Sequence, residues 1–201
     1  LAVAGIVVVD RLPPQHSPFA TFDPRRPIGW ATAGQLARLK SDPQACRALL
    51  KQAEVRIEPI SDSREGAFCG FNGAVAVERS SIPWSQAPLQ VSCPLAAALA
   101  LWERTVVIPA AEQHLGSRVT RIDHFGTYAC RSVAGNRSGR PSQHATANAI
   151  DVAAFNLGDG RRVAVRKQWR GDTAEAAFLH AVRDGSCRIF AAVLSPDYNA
   201  A

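Results

Sequence analysis

Apolar residues dominate the chain between Pro94 and His114, and within that run Leu95, Leu99, Trp102 and Val106 recur at spacings of three and four. That spacing predicts a helix with a stripe turned to a core rather than a ligand-bearing face. Pro109 is expected to kink or divide it, and Gly116 to end it. Shorter helical patterns cover 32–40 and a segment opened by Asp42-Pro43, with the aspartate as N-cap and the proline at the first helical position. Asp172-Thr173-Ala174-Glu175 reads as a capping box with Asp172 as the cap, starting a helix that ends near Gly185. Strand patterns cover 55–60, 74–77, 118–125 and 187–194, and a hairpin joins 149–155 to 161–165 through Leu157-Gly158-Asp159-Gly160. Helices and strands in this irregular order predict an α+β domain, a small antiparallel sheet flanked by helices.

With 201 residues and 47% hydrophobic content, the chain can bury one sizeable core, so 31–201 is expected to form a single domain. Residues 1–30 differ in character. Leu1 to Val9 is apolar, and the stretch that follows holds Pro13, Pro14, Pro18, Pro24 and Pro27, reading as an extended arm rather than a helix. Nine apolar residues fall short of the roughly 20 needed to span a bilayer. They suit the end of a membrane anchor, a signal-peptide remnant or a short buried segment. The net charge of +6 comes from 20 Arg and 3 Lys scattered from Arg11 to Arg188. Scattered arginines argue against a nucleic-acid groove, which would cluster basic residues with interleaved aromatics. A diffuse positive field suits anionic surroundings such as cell-wall polymers, and it equally suits plain solubility.

Cys46, Cys69, Cys93, Cys130 and Cys187 are far apart, and no two form a C-x-x-C pair, so a structural zinc knuckle or a thioredoxin-like motif has little support. Disulfides in an oxidising compartment fit better. The expected pairs are Cys46 with Cys69, bracketing a helix-strand unit, and Cys130 with Cys187, bracing the segment that carries Arg131. The fifth cysteine is then left over. Five reduced, buried thiols are the competing reading.

The candidate chemistry lies in Ser142-Gln143-His144-Ala145-Thr146-Ala147-Asn148-Ala149-Ile150-Asp151. Imidazole and carboxylate are the ligand types of a catalytic zinc site, whereas structural sites lean on thiolates. The offset of seven between His144 and Asp151 would arise by chance about one time in four for this composition. Asp151 is expected in the middle of a strand, among residues suited to burial, where a carboxylate needs a partner. That partner is either a metal shared with His144 or one of the arginines, and on local pattern the two readings stand level. Arg131 precedes a Gly-, Ser- and Arg-rich loop over 135–142, where its guanidinium could hold a substrate carboxylate or an oxyanion; most arginines are only surface charges. Ser142 is either a donor to bound water or substrate or a turn-forming serine. Asp123 and His124 read as a structural hydrogen-bonding pair at a strand end, outside the site.

Leu12-Pro13-Pro14, Asp42-Pro43, Cys93-Pro94-Leu95-Ala96, Asp123-His124-Phe125-Gly126, Tyr128-Ala129-Cys130-Arg131, the 144–151 segment, Leu157-Gly158-Asp159-Gly160 and Pro196-Asp197 together resemble the extensin-like C-terminal domain of bacteria. The resemblance covers roughly 12–201 and extends to the related zinc D-Ala-D-Ala peptidase and lysostaphin metallopeptidase group. It implies the D-Ala-D-Ala metallopeptidase fold, with His144 and Asp151 as zinc ligands, Arg131 and Ser142 as catalytic residues, and hydrolysis of peptidoglycan stem peptides or crosslinks. It also implies a periplasmic or cell-envelope protein, with an N-terminal anchor to the inner membrane as one form. That group carries S-x-H-x-x-G-x-A-x-D followed by His-x-His, whose second histidine is the third ligand and whose first is a candidate base. Here Ala147 stands at the glycine, Gln143 stands where the extensin-like version has Glu, and the sequence stops at Ala201 where the His-x-His is expected. A non-catalytic cell-wall-binding or scaffold domain that retains the fold is the alternative.

Overall fold

Ser92 accepts a hydrogen bond from the Leu95 N–H and so caps the helix α3, Cys93–Trp102, which has proline in its first turn. The structure, a computed structural model, describes residues 12–66, 68–133 and 140–198. Every residue of α3 except Pro94 is buried, so this helix is apolar all round and forms the centre of the core. Pro109 does divide the run. It has no N–H to donate, and the chain accommodates it by widening into a π-helical turn, Glu103–Val107, before resuming as α4, Ile108–Leu115. Gly116 then ends α4 in the left-handed conformation, φ 58°, that a glycine adopts without steric cost.

The earlier helices are α1, Thr32–Arg38, and α2, Pro43–Gln52, with Asp42 accepting from the Ala45 N–H as the sequence predicts. The last is α5, Ala174–Ser186. Its cap is Thr173 rather than Asp172: the threonine hydroxyl accepts from the Ala176 N–H, three residues on, which is the offset a cap can reach. Gly185 lies where α5 crosses the π-helical turn, so close that a Cβ would sit 2.5 Å from Val106 Cγ1. Across the same contact the Trp102 indole donates to Ser186 Oγ at 2.7 Å.

Among the described residues the strands, all paired antiparallel, form three small sheets, giving an α+β architecture. The first sheet has the order β1 (Arg56–Pro59), β4 (Ala74–Arg79), β5 (Leu89–Ser92), with Ile57 opposite Val77 and Val75 opposite Val91. A two-stranded ribbon joins β2 (Ser63–Glu65) to β3 (Cys69–Phe71). The third sheet has the order β6 (Val119–His124), β7 (Val152–Leu157), β8 (Arg162–Ala164), with Phe155 between Ile122 and Val163. The expected hairpin is present, but residues 149–151 lie ahead of it and are not strand. Residues 187–194, expected as a strand, form turns and irregular chain after α5; the Cys187 N–H is used by Arg183 and that of Ile189 by Ser186, leaving no ladder to join. Phe155, Phe178 and Trp102 pack ring against ring between the third sheet, α3 and α5.

The expected apolar segment over 1–9 lies outside the described residues. Residues 12–30 contain no α-helix and lie against the domain: Gln35 Nε2 donates to the carbonyls of Pro14 and Ser17, and Phe22 is buried in the core.

Glu103 in the π-helical turn is fully buried. Its Oε1 accepts from Ser80 Oγ at 2.7 Å and from the Trp84 indole at 2.8 Å, and its Oε2 accepts from the Ile82 N–H at 3.1 Å. It thereby fixes the turn that brings Pro83 and Ser85 against Ile122 of β6 and links the first sheet to the third. Burial pushes its carboxyl up to about 7, against the pull of those donors. The pocket also suits the protonated acid. A proton on Oε1 can be given to Ser80 Oγ, whose own hydrogen then points to the Ile82 carbonyl 3.0 Å away.

Two disulfides form, Cys46–Cys93 and Cys69–Cys130, and Cys187 is free and exposed. Two bridges with one thiol left over agree with the sequence reading, but both pairings differ from it. Cys46 lies on the buried side of α2, which packs on the start of α3, so its neighbour is Cys93 and not the more distant ribbon. Cys69 in β3 is carried by the ribbon to the segment holding Cys130.

Candidate metal centre

The segment 125–133 runs antiparallel to 140–151, zipped by main-chain hydrogen bonds, and this pairing builds the site. Phe125 N–H donates to the Asp151 carbonyl, Ala129 N–H to that of His144, Ser142 N–H to that of Arg131 and Val133 N–H to that of Arg140. Arg131, Ser142, His144 and Asp151 are therefore brought to one strip of chain. The Cys69–Cys130 bridge ties this strip to β3, which packs on the 3-10 turn Gln143–Thr146. Residues 134–139, most of the loop expected to follow Arg131, lie outside the described residues.

Ser142 opens the turn with its hydroxyl accepting from the His144 N–H. The turn closes on Ala147, which is fully buried at φ 52° and ψ 30°. The backbone here needs positive φ, a conformation that glycine adopts without steric cost. Alanine holds it at a steric cost of about 1–2 kcal/mol. The conformation is kept because Ala147 N–H donates back to the His144 carbonyl while the Ala147 carbonyl accepts from Ser92 N–H, the residue that caps α3. Ser92 Oγ and Asn148 Oδ1, 2.9 Å apart, add a side-chain contact at the same junction.

His144 is 9% exposed, and its Nδ1 lies 3.1 Å from the Thr127 carbonyl. A carbonyl only accepts, so Nδ1 carries the hydrogen and the lone pair of the neutral ring is at Nε2. That nitrogen stands 3.4 Å from Asp151 Oδ2, beyond a good hydrogen bond. Two electron-rich atoms face each other there, and a cation between them, a proton on the ring or a metal, is what such a pair accommodates. Tetrahedral zinc with ligand bonds of about 2.1 Å holds neighbouring ligand atoms roughly 3.4 Å apart. The second ring nitrogen bound to a carbonyl is also the outer partner that metal-ligating histidines use.

Asp151 itself differs from expectation. It lies one residue before β7, its side chain is 54% exposed, and no arginine pairs with it among the described residues. Its main-chain N–H and carbonyl are taken up by Gly126 and Phe125 across a bulge, which leaves the carboxylate in solvent. Burial therefore does not compel a partner for it, and the case for a metal rests on the gap to His144. No cluster of three His, Cys, Asp or Glu that could hold a metal occurs among the described residues, so the strip offers two protein ligands.

Asp123 and the other histidines of the domain make structural contacts. Asp123 binds Arg121, Arg162 and Asn156. His124 Nε2 meets the Ser85 carbonyl at 2.6 Å, and its Nδ1 is buried without a partner among the described residues. His114 ends α4, and His180 on α5 rests against Trp169. Thr127 has no signal in the sequence, since it acts through its carbonyl. Glu103 had one, as an acid within an apolar run.

Residues 44–201 match the family model described as extensin-like protein C-terminus. No curated protein and no solved structure matches the chain.

Proposed function

The chain belongs to the extensin-like protein C-terminus family, and on that premise we propose that it is a zinc-dependent hydrolase of peptidoglycan peptides. The observation that carries this reading is the 3.4 Å separation of His144 Nε2 and Asp151 Oδ2, with the imidazole hydrogen held on the far side by Thr127. A zinc ion held by these two residues and a third donor would supply Lewis acidity at the scissile carbonyl and a more acidic water. His144 contributes a fixed lone pair, and Asp151 contributes negative charge at the solvent boundary, where a substrate can reach it. Arg131, on the same strip, offers paired donors for a substrate carboxylate. Ser142 and Ala147 hold the turn that aims His144. Two disulfides support an oxidising compartment such as the periplasm or cell envelope, and the net charge of +6 suits an anionic wall.

A cell-wall-binding module without catalysis is the second reading, favoured by the lack of a three-ligand cluster among the described residues. Incubation of the zinc-loaded protein with crosslinked muropeptides, with and without chelator, separates them. Cleavage that stops with chelator supports the hydrolase. Retention of muropeptides without cleavage supports the module, and neither binding nor cleavage removes both.

A further inference from the structure

Phe125 stands out on the strip as a large apolar side chain left 81% exposed beside Asp151. Its placement is fixed by the main chain: Phe125 N–H donates to the Asp151 carbonyl at 2.8 Å, and the Asp151 N–H donates to the Gly126 carbonyl at 3.2 Å. Phe125 and Gly126 thus sit opposite Asp151 across a bulge, following the pair His124 and Val152. Residues opposite each other in an antiparallel pair put their side chains on the same side of the sheet, about 5 Å apart at Cβ. Exposure follows that rule. His124 is buried and Val152 half-buried, while Phe125 and Asp151 both face solvent.

From this placement we infer that Phe125 is the specificity-determining residue of the site, an apolar platform for the side chain next to the scissile amide. The inference rests on the hydrolase or binding reading above. Distance selects the group it meets. An amide engaged at His144 and Asp151 has its flanking side chains within one residue, about 3.8 Å along the chain, whereas a sugar three or more residues away lies roughly 10 Å further off. Chemistry selects the class. A phenyl ring has no donor or acceptor, so it favours a methyl group or a methylene arm and gains nothing from glycine or a charged group.

The test is a cycle between protein and ligand, read as equilibrium binding with no cleavage required. Wild type and Phe125→Ala, each loaded with zinc, are titrated with two short peptides, one ending in D-alanyl-D-alanine and one in glycylglycine. One methyl resting on the ring corresponds to about a fourfold preference. Wild type is expected to bind the alanyl peptide at least about fourfold more tightly, Phe125→Ala to bind both equally, and Phe125→Leu to keep part of the preference. A preference that survives Phe125→Ala overturns the inference. So does an equal weakening of both peptides in the variants at unchanged zinc content, which would mark a general rather than a selective contact. Binding of neither peptide by wild type overturns the peptide-ligand reading and this inference with it.

Discussion

The Thr127 carbonyl, 3.1 Å from His144 Nδ1, decides which nitrogen of the buried imidazole is left for chemistry. Because that carbonyl can only accept, the free lone pair lies at Nε2, on the side of Asp151. A main-chain group thereby sets the tautomer, and no substitution of the Thr127 side chain removes it. His144 Nε2 and Asp151 Oδ2 then face each other as two acceptors 3.4 Å apart.

Zinc binding by this chain is expected to depend on both residues. Titration calorimetry and elemental analysis should give about one zinc per chain for wild type, with affinity reduced at least tenfold in His144→Ala and in Asp151→Ala. Each variant removes one of only two protein ligands that the described residues bring together. Equal metal content in all three proteins would exclude the pair as a metal site.

The two disulfides should separate by function. Each closes a long loop, with separations of 47 and 61 residues, and each is expected to contribute about 2–4 kcal/mol. Losing Cys46–Cys93 loosens α2 from α3 and should lower the melting temperature with a smaller effect on zinc affinity, because α3 itself still holds Ser92 against the Ala147 carbonyl. Losing Cys69–Cys130 frees the chain beside Ala129, whose N–H holds the His144 carbonyl, and should lower both. Double alanine variants of each pair, compared by thermal unfolding and zinc titration, check this. Matching zinc affinities in the two would show that the second bridge does not support the site.

Ala147 offers a test of the turn. Glycine at φ 52° relieves steric strain but gives up a buried methyl worth about 0.8 kcal/mol, so Ala147→Gly should stay within about 1 kcal/mol of wild type and retain zinc. Valine adds a β-branched side chain at a fully buried, left-handed position, and Ala147→Val should cost more than about 2 kcal/mol and lose zinc. Urea unfolding measures both, and a tolerated valine would mean the turn is not held as described.

Glu103 should impose a pH dependence. Its carboxyl is raised from the ordinary 4.5 to about 7 by burial, so the folded chain holds the proton more tightly than the unfolded chain. Its contribution is full below about 4.5, declines by roughly 1 kcal/mol per pH unit through the interval to about 7, and is level above. In Glu103→Gln that slope disappears. The variant pays a constant cost of about 1–3 kcal/mol, because an amide –NH₂ in place of Oε2 faces the Ile82 N–H. The difference between the two unfolding curves from pH 4 to 8 isolates the effect from other acids, and a flat difference would place the titration elsewhere.

Local pattern determined the helices, the cap at Asp42, the break at Pro109, the stop at Gly116 and the α+β class. These depend on hydrogen bonds within four residues and on side-chain periodicity, both of which are written along the chain. His144 and Asp151 were legible as candidates, two ligand types at a fixed offset. Tertiary structure alone decided that Cys46 meets Cys93, that Asp151 faces solvent, and that the Thr127 carbonyl lies behind the imidazole. Each of those depends on which distant segment is placed alongside, here 125–133 against 140–151. That pairing is set by packing of the whole core and by main-chain groups that every residue shares, so no residue type announces it.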